Sequence, residues 1–274
     1  MSSSVMQNQH TISMNTRSII SERYRRITKA VNRAFWGIVS ETAHSFYVGS
    51  YGRGTAIGTS DLDVLVELPS DDYDSFTSLS GNRPSRLLQT VKSAIQSTYP
   101  NTNIKGDGQV VVVRFSDGMK FEILPAFSTW NPWQNQYLYK YPDTHMGGNW
   151  LTTNPNAEQK AMKEKNQYSE TNGLLFDTCK HIRYVRDSEY SSYHLSGILI
   201  DIFCYDAIGG WHFTRENETH SPSEISYEQA LLNYYNDKTD YWGECSSIMQ
   251  APGSKQTIDT TDWKTLGKIL RAMV

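Results

Sequence analysis

The chain has 274 residues, 38% of them hydrophobic and 20% charged, with a net charge of −3. That length holds one large domain or two packed lobes around a real core, and the composition excludes a disordered chain. The small acidic balance excludes a surface that wraps nucleic acid, so any nucleotide contact is expected to be local.

In chain order, the first residues, MSSSVMQNQHT, are polar and carry no apolar core of a secretory signal, so 1–16 reads as a flexible tail. Ile20, Tyr24, Ile27, Val31 and Phe35 recur at three- and four-residue steps and predict one long amphipathic helix over 17–36. A short β-prone run, 45–48, stops at Gly49-Ser50, and a second strand, 62–68, stops at Pro69. Residues 70–83 are rich in Ser, Asp and Gly and read as a loop. A helix over 84–99 shows Leu87, Leu88, Val91 and Ile95 on one face. Strands 109–115 and 120–127 flank the hairpin turn Ser116-Asp117-Gly118. The proline- and aromatic-rich stretch 128–157 reads as an ordered crossover, in which Trp130 to Tyr141 either stack on bases or pack a core. Helical periodicity follows at 157–167, 171–187, 194–209, 225–236 and 260–273.

The three cysteines, Cys179, Cys204 and Cys245, are far apart and form no C-x-x-C, which predicts a reduced, cytoplasmic setting. No apolar run reaches the roughly 18 residues of a membrane span. The seven histidines form no metal-spaced set with cysteine, and His181 and His194 read as helix-surface or packing residues.

The stretch YVGSYGRGTAIGTSDLDVLV, residues 47–66, carries the chemistry. Asp61 and Asp63 flank Leu62 on a strand, so both carboxylates leave one face. Side by side they repel, and a hard divalent cation is the usual remedy, although a solvated strand edge would show the same spacing. Gly49 lets backbone approach a phosphate without a Cβ, and Ser50 adds a hydroxyl. A third acid is expected on a neighbouring strand facing the same way. Glu122 fits, because Phe121 and Ile123 face the other side. A carboxylate there needs a cation or an ion pair, with one of the arginines as the alternative partner. Three such carboxylates suit two Mg²⁺ ions in in-line phosphoryl or nucleotidyl transfer, with Mn²⁺ as the other candidate.

With Gly49-Ser50-Tyr51-Gly52-Arg53-Gly54-Thr55, Ser60-Asp61-Leu62-Asp63-Val64 and Phe121-Glu122-Ile123-Leu124-Pro125-Ala126, the sequence resembles the polymerase-β-like nucleotidyltransferases. Within them it is most similar to the bacterial cyclic-oligonucleotide synthases, relatives of cyclic GMP-AMP synthase and oligoadenylate synthase. Trp150 to Pro155 and the helix Cys179 to Arg186 also look like segments of that family. The resemblance implies an α+β fold. A mixed-sheet nucleotidyltransferase core, 17–145, would carry the acids, a helical lobe, 146–274, would close the nucleotide cleft, and the helix 17–36 would bridge them. It implies that Asp61, Asp63 and Glu122 are catalytic metal ligands and that Gly49, Ser50, Lys180 and Ser196 bind nucleotide. At Ser196 the match is shifted: the family shows Ser-Tyr before an apolar run ending in Glu, whereas this chain reads Ser196-Gly197-Ile198-Leu199-Ile200-Asp201.

The implied activity joins nucleoside triphosphates into a cyclic di- or trinucleotide, read by a separate effector protein in anti-phage defence, with no membrane and no obligatory nucleic acid. Two other readings fit the same motifs. One is nucleotide addition to RNA ends, as in CCA-adding enzymes, and the other is a nucleotide-binding regulator without turnover.

Overall fold

The computed structural model describes residues 4–78, 81–133, 135–218 and 224–274. Residues 1–3 of the expected tail, 79–80 of the expected loop and 134 of the expected crossover lie outside them. The chain divides into two compact units. One comprises Ser13–Gly52 and Asp61–Asn154, and the other comprises Met1–Ile12, Arg53–Ser60 and Pro155–Val274.

The first unit opens with helix α1 (Met14–Phe35). The Ser13 side chain accepts from the Thr16 amide at 3.1 Å, which satisfies a free N–H of the first turn. Ile20, Ile27 and Val31 bury the expected face. Strand β1 (Ser45–Tyr47), the short helix α2 (Gly49–Arg53) and strand β2 (Leu62–Glu67) follow. Helix α3 (Ser70–Thr77) stands where the sequence predicts a loop. It buries no residue, so no apolar period announces it, and Asp71 and Asp72 in its first turn favour it through the helix dipole.

Helix α4 (Arg83–Thr98) buries Leu87, Leu88, Val91 and Ile95, as the spacing predicts, behind an Asn82 cap. Strand β3 (Asn103–Asp107) was invisible in the pattern, since only Ile104 is buried and Gly106 interrupts it; pairing with β4 (Val110–Arg114) holds it in place. Strand β5 (Lys120–Asn131) runs longer than expected, and β6 (Gln136–Asp143) and β7 (Asn149–Thr153) replace the crossover with two more antiparallel pairings. Through β7 this unit keeps residues to Asn154, beyond the expected limit at 145.

The sheet order among the described residues is β1-β2-β5-β4-β3, with β6 joined to the far half of β5 and β7 to β6. Among the described residues only β2 and β5 pair in parallel; the other strand pairs are antiparallel. The prolines that suggested a crossover sit at Pro132, between β5 and β6, at Pro142 near the end of β6, where few ladder bonds are lost, and at Pro155, the first residue of the helix that follows β7.

The second unit is helical: α5 (Pro155–Lys165), α6 (Leu174–Glu189), α7 (Gly197–Ala207), α8 (Tyr227–Asp237) and α9 (Trp263–Met273). Its core gathers Ile182, Leu199, Phe203, Leu231, Trp263 and Leu266, all fully or almost fully buried. The expected N-terminal tail is not frayed from Ser4 on. Val5 is 2% exposed within this core, and the Ser4 amide donates to Glu228 at 2.7 Å. The few apolar residues scattered among polar ones, with no helical or strand period, were too weak a signal to predict that docking.

Candidate active site

Strands β2 and β5 lie side by side in parallel, with Leu62 opposite Phe121 and Asp63 opposite Glu122. Leu62 and Phe121 turn into the core at 2% and 0% exposure, so Asp63 and Glu122 emerge together on the other face. Asp61 precedes β2 by one residue. The structure therefore brings the three sequence-predicted acids into one neighbourhood.

The loop before α2 closes on the same place. The Val48 amide donates to the Asp63 carbonyl at 2.9 Å. Gly49 follows at φ +58°, in the left-handed region, and a Cβ built there would overlap the Asp63 carboxylate. Gly49 thus does more than the sequence suggested: it makes room for an acid. Ser50, the second residue of α2, stands beside it, half-buried.

Sequence reasoning missed Lys120. Its Nζ lies 2.5 Å from Asp61 Oδ2 and 2.9 Å from Glu122 Oε1, so one ammonium bridges two of the acids. The ion-pair partner of Glu122 is this lysine rather than the arginine held open as the alternative. Burial pulls the lysine pKa down, but the Asp61 and Glu122 carboxylates outweigh it and hold it above its ordinary value, so it is charged at neutral pH. Among the described residues, no group of three or more His, Cys, Asp and Glu side chains is placed to share an ion. The donor set itself, carboxylate oxygens that already attract a cation, is of the kind a hard divalent ion takes.

The Arg-Gly-Thr that begins at the last residue of α2 serves the helical unit. Arg53 Nε donates to Asp201 Oδ2 at 2.8 Å, Thr55 Oγ1 donates to the same oxygen at 3.0 Å, and Arg183 Nη1 donates to Asp201 Oδ1 at 2.6 Å. Arg53 also reaches Glu158 Oε2 at 3.4 Å. All five side chains are buried. Burial pushes the Asp201 carboxyl up, yet the Arg183 and Arg53 guanidiniums outweigh burial and hold it below its ordinary value. Glu158, with a longer ion pair, goes the other way: burial pushes its carboxyl up against the pull of Arg53. Asp201 is a residue at which the α7 motif departs from the family pattern, but nothing in that departure names its partners.

Lys180 sits on α6 and pairs with Asp177 at 3.1 Å, while the other Asp177 oxygen accepts from the Asn8 amide at 2.7 Å. Ser196 caps α7 without a side-chain cap bond; its own amide donates to Asp262 at 2.9 Å. Ser196 lines a cavity of about 480 Å³ with Thr59, Arg186, Asp187 and Tyr193. Of the aromatics left open between base stacking and packing, Tyr139 is buried, whereas Trp130, Trp133 and Tyr137 are exposed around the β5–β6 turn and are not core residues.

Comparison with solved structures defines the class by its fold, that of the bacterial CD-NTase nucleotidyltransferases. The chain is similar to the CdnE cyclic dinucleotide synthase of Elizabethkingia meningoseptica, solved with GTP and Apcpp, at 14% identity and a TM-score of 0.59, covering 95% of this chain and 97% of that one. It is similar to CdnG of Bradyrhizobium diazoefficiens, solved with GTP, at 13% identity and a TM-score of 0.60, covering 96% and 86%. It is also similar to the STING-associated CdnE c-di-GMP synthase of Capnocytophaga granulosa, at 16% identity and a TM-score of 0.58, covering 93% and 81%. None of the curated proteins matches it. Residues 3–166 match the Second Messenger Oligonucleotide or Dinucleotide Synthetase domain, SMODS, and the chain belongs to that family. No helix among the described residues is long and apolar enough to cross a membrane.

Proposed function

We propose that the protein joins nucleoside triphosphates into a cyclic di- or trinucleotide. The observation that carries this reading is the pairing of Asp63 with Glu122 on adjacent parallel strands, with Gly49 closed against Asp63. Asp61, Asp63 and Glu122 would hold Mg²⁺ or Mn²⁺ through carboxylate oxygens, and Gly49-Ser50 would receive the triphosphate. When bound, the metal supplies charge neutralisation at the transferring phosphoryl group and acidifies the attacking hydroxyl. The chain's own part is to fix Asp63 and Glu122 on a rigid strand pair, with Asp61 just before it, and to keep the Gly49 backbone close to them. Glu122 is the group assigned to the attacking ribose hydroxyl. Lys180 and Ser196 are proposed as nucleotide contacts from the family motif alone.

The product would act as a second messenger for a separate effector in anti-phage signalling, and the enzyme would work in the cytoplasm. GTP in the related CdnE and CdnG structures makes GTP the first substrate to try, with ATP second. Purified protein is incubated with each labelled triphosphate and Mg²⁺, treated with phosphatase, and the product is weighed by mass spectrometry. A phosphatase-resistant, RNA-independent product of cyclic mass supports the reading. RNA-dependent incorporation would replace it with terminal addition to RNA, and saturable binding without product would replace it with a nucleotide-binding regulator.

A further inference from the structure

Lys120 precedes Glu122 by two residues on β5, so both side chains leave the same face of the sheet. Directly across the antiparallel β4 pairing stands Arg114. Like charges opposite one another on a strand pair are unfavourable, so the lysine's position is set by the acids and not by its neighbour on β4. Its ammonium lies between Asp61 Oδ2, at 2.5 Å, and Glu122 Oε1, at 2.9 Å, and its side chain is 20% exposed. A single positive charge therefore already stands between two of the three carboxylates assigned above to metal.

We propose that Lys120 is a built-in competitor for the divalent cation. It holds Asp61 and Glu122 together in the metal-free chain and yields to the incoming ion, so that it sets the concentration at which the site loads. The inference rests on the reading of Asp61, Asp63 and Glu122 as metal ligands. One ammonium compensates one of three negative charges and donates along at most three N–H directions. A divalent ion brings twice the charge to the same oxygens, so exchange is favourable once the ion is abundant. The lysine stem is flexible and one-fifth exposed, which leaves the head group a way out to water.

The test reads metal binding directly, without nucleotide and without turnover. Mn²⁺ is titrated into wild-type protein, Lys120→Met and Lys120→Arg, and free Mn²⁺ is followed by electron paramagnetic resonance, with circular dichroism confirming the fold of each. Removing the resident charge is expected to tighten Mn²⁺ binding on the order of tenfold, by Coulomb's law at this separation in a partly exposed site. Lys120→Arg keeps the charge and is expected to stay within about threefold of wild type. Adding Asp63→Asn to Lys120→Met is expected to remove the gain.

Equal or weaker Mn²⁺ binding by Lys120→Met than by wild type overturns the competitor role and leaves the acids as metal ligands. If neither wild type nor Lys120→Met takes up Mn²⁺ at millimolar concentration, the assignment of the acids falls and this inference falls with it. Uptake by Lys120→Met alone supports both.

Discussion

Asp201 and Arg183 meet at 2.6 Å with only 1% of either side chain exposed, and the other carboxylate oxygen of Asp201 is shared by Arg53 and Thr55. Two guanidiniums on one buried carboxylate form an arrangement that tolerates no missing member, because the remaining charges have no water to turn to. Asp201→Asn keeps the shape and removes the charge. It should lower the stability of the helical unit by about 3–5 kcal/mol, the range for breaking a buried ion pair. Chemical denaturation followed by circular dichroism measures this, and a loss under about 1 kcal/mol would show that the network contributes little.

The same carboxylate predicts an acid-side transition. Its folded pKa lies below its ordinary value, since Arg183 and Arg53 overcome the opposing effect of burial. A depressed carboxyl contributes stability that is present above the unfolded pKa of about 4 and is lost as pH falls towards the folded value. Wild-type stability should therefore drop on titration below about pH 4. Asp201→Asn should drop less steeply over that window, and parallel curves for the two proteins would remove Asp201 as the cause.

Gly49 and Gly37 form a matched pair for separating strain from overlap. Both have positive φ, +58° and +67°, but an added Cβ meets Asp63 at Gly49 and open space at Gly37. Alanine at either site should cost about 1–2 kcal/mol of backbone strain. Only Gly49→Ala should also displace the acid and suppress product formation, by tenfold or more beyond any stability effect. Equal activity in the two variants, measured well below their melting temperatures, would remove the close-approach role of Gly49.

The proposed chemistry makes Asp63→Asn a test of metal ligation with the fold intact. The side chain is not fully buried, so stability should change by less than about 1 kcal/mol. Losing a metal ligand worth several kcal/mol in the transition state should cut the rate by at least about 100-fold. Product yield near wild type would end the assignment.

Val5 tests whether the N-terminal residues are part of the helical core. At 2% exposure, Val5→Ala removes two buried methyl groups and should cost about 1–2.5 kcal/mol, a shift of several degrees in melting. An unchanged melting temperature would restore the picture of a loose tail.

The sequence made the acids legible because strand geometry is simple. Period two places Asp61 and Asp63 on one face, and the alternation around Glu122 sets its side, so the parallel Asp63–Glu122 register completed a pattern already half visible. Helices α1 and α4 were legible through their apolar stripes, whereas α3 was not, since it buries nothing. Strands β6 and β7 hid behind prolines and aromatics that turn and strand share. Lys120 and the Asp201 network were out of reach for another reason. Each depends on which residues meet across long separations, and a charged side chain has no period to betray its partner.

Strand β5 is hydrogen-bonded on both sides where it carries the proposed third acid: Phe121, Glu122 and Ile123 pair with β2 along one edge and with β4 along the other. An amide in that position donates to one neighbour and is flanked by the other strand, so it exchanges only when the centre of the sheet opens, which approaches opening of the whole unit. Deuterium should therefore reach the Glu122 amide among the last in its unit. Heating would then melt other parts of that unit before the floor of the acid cluster gives way, and activity lost at mild temperature would report events elsewhere than at the carboxylates themselves.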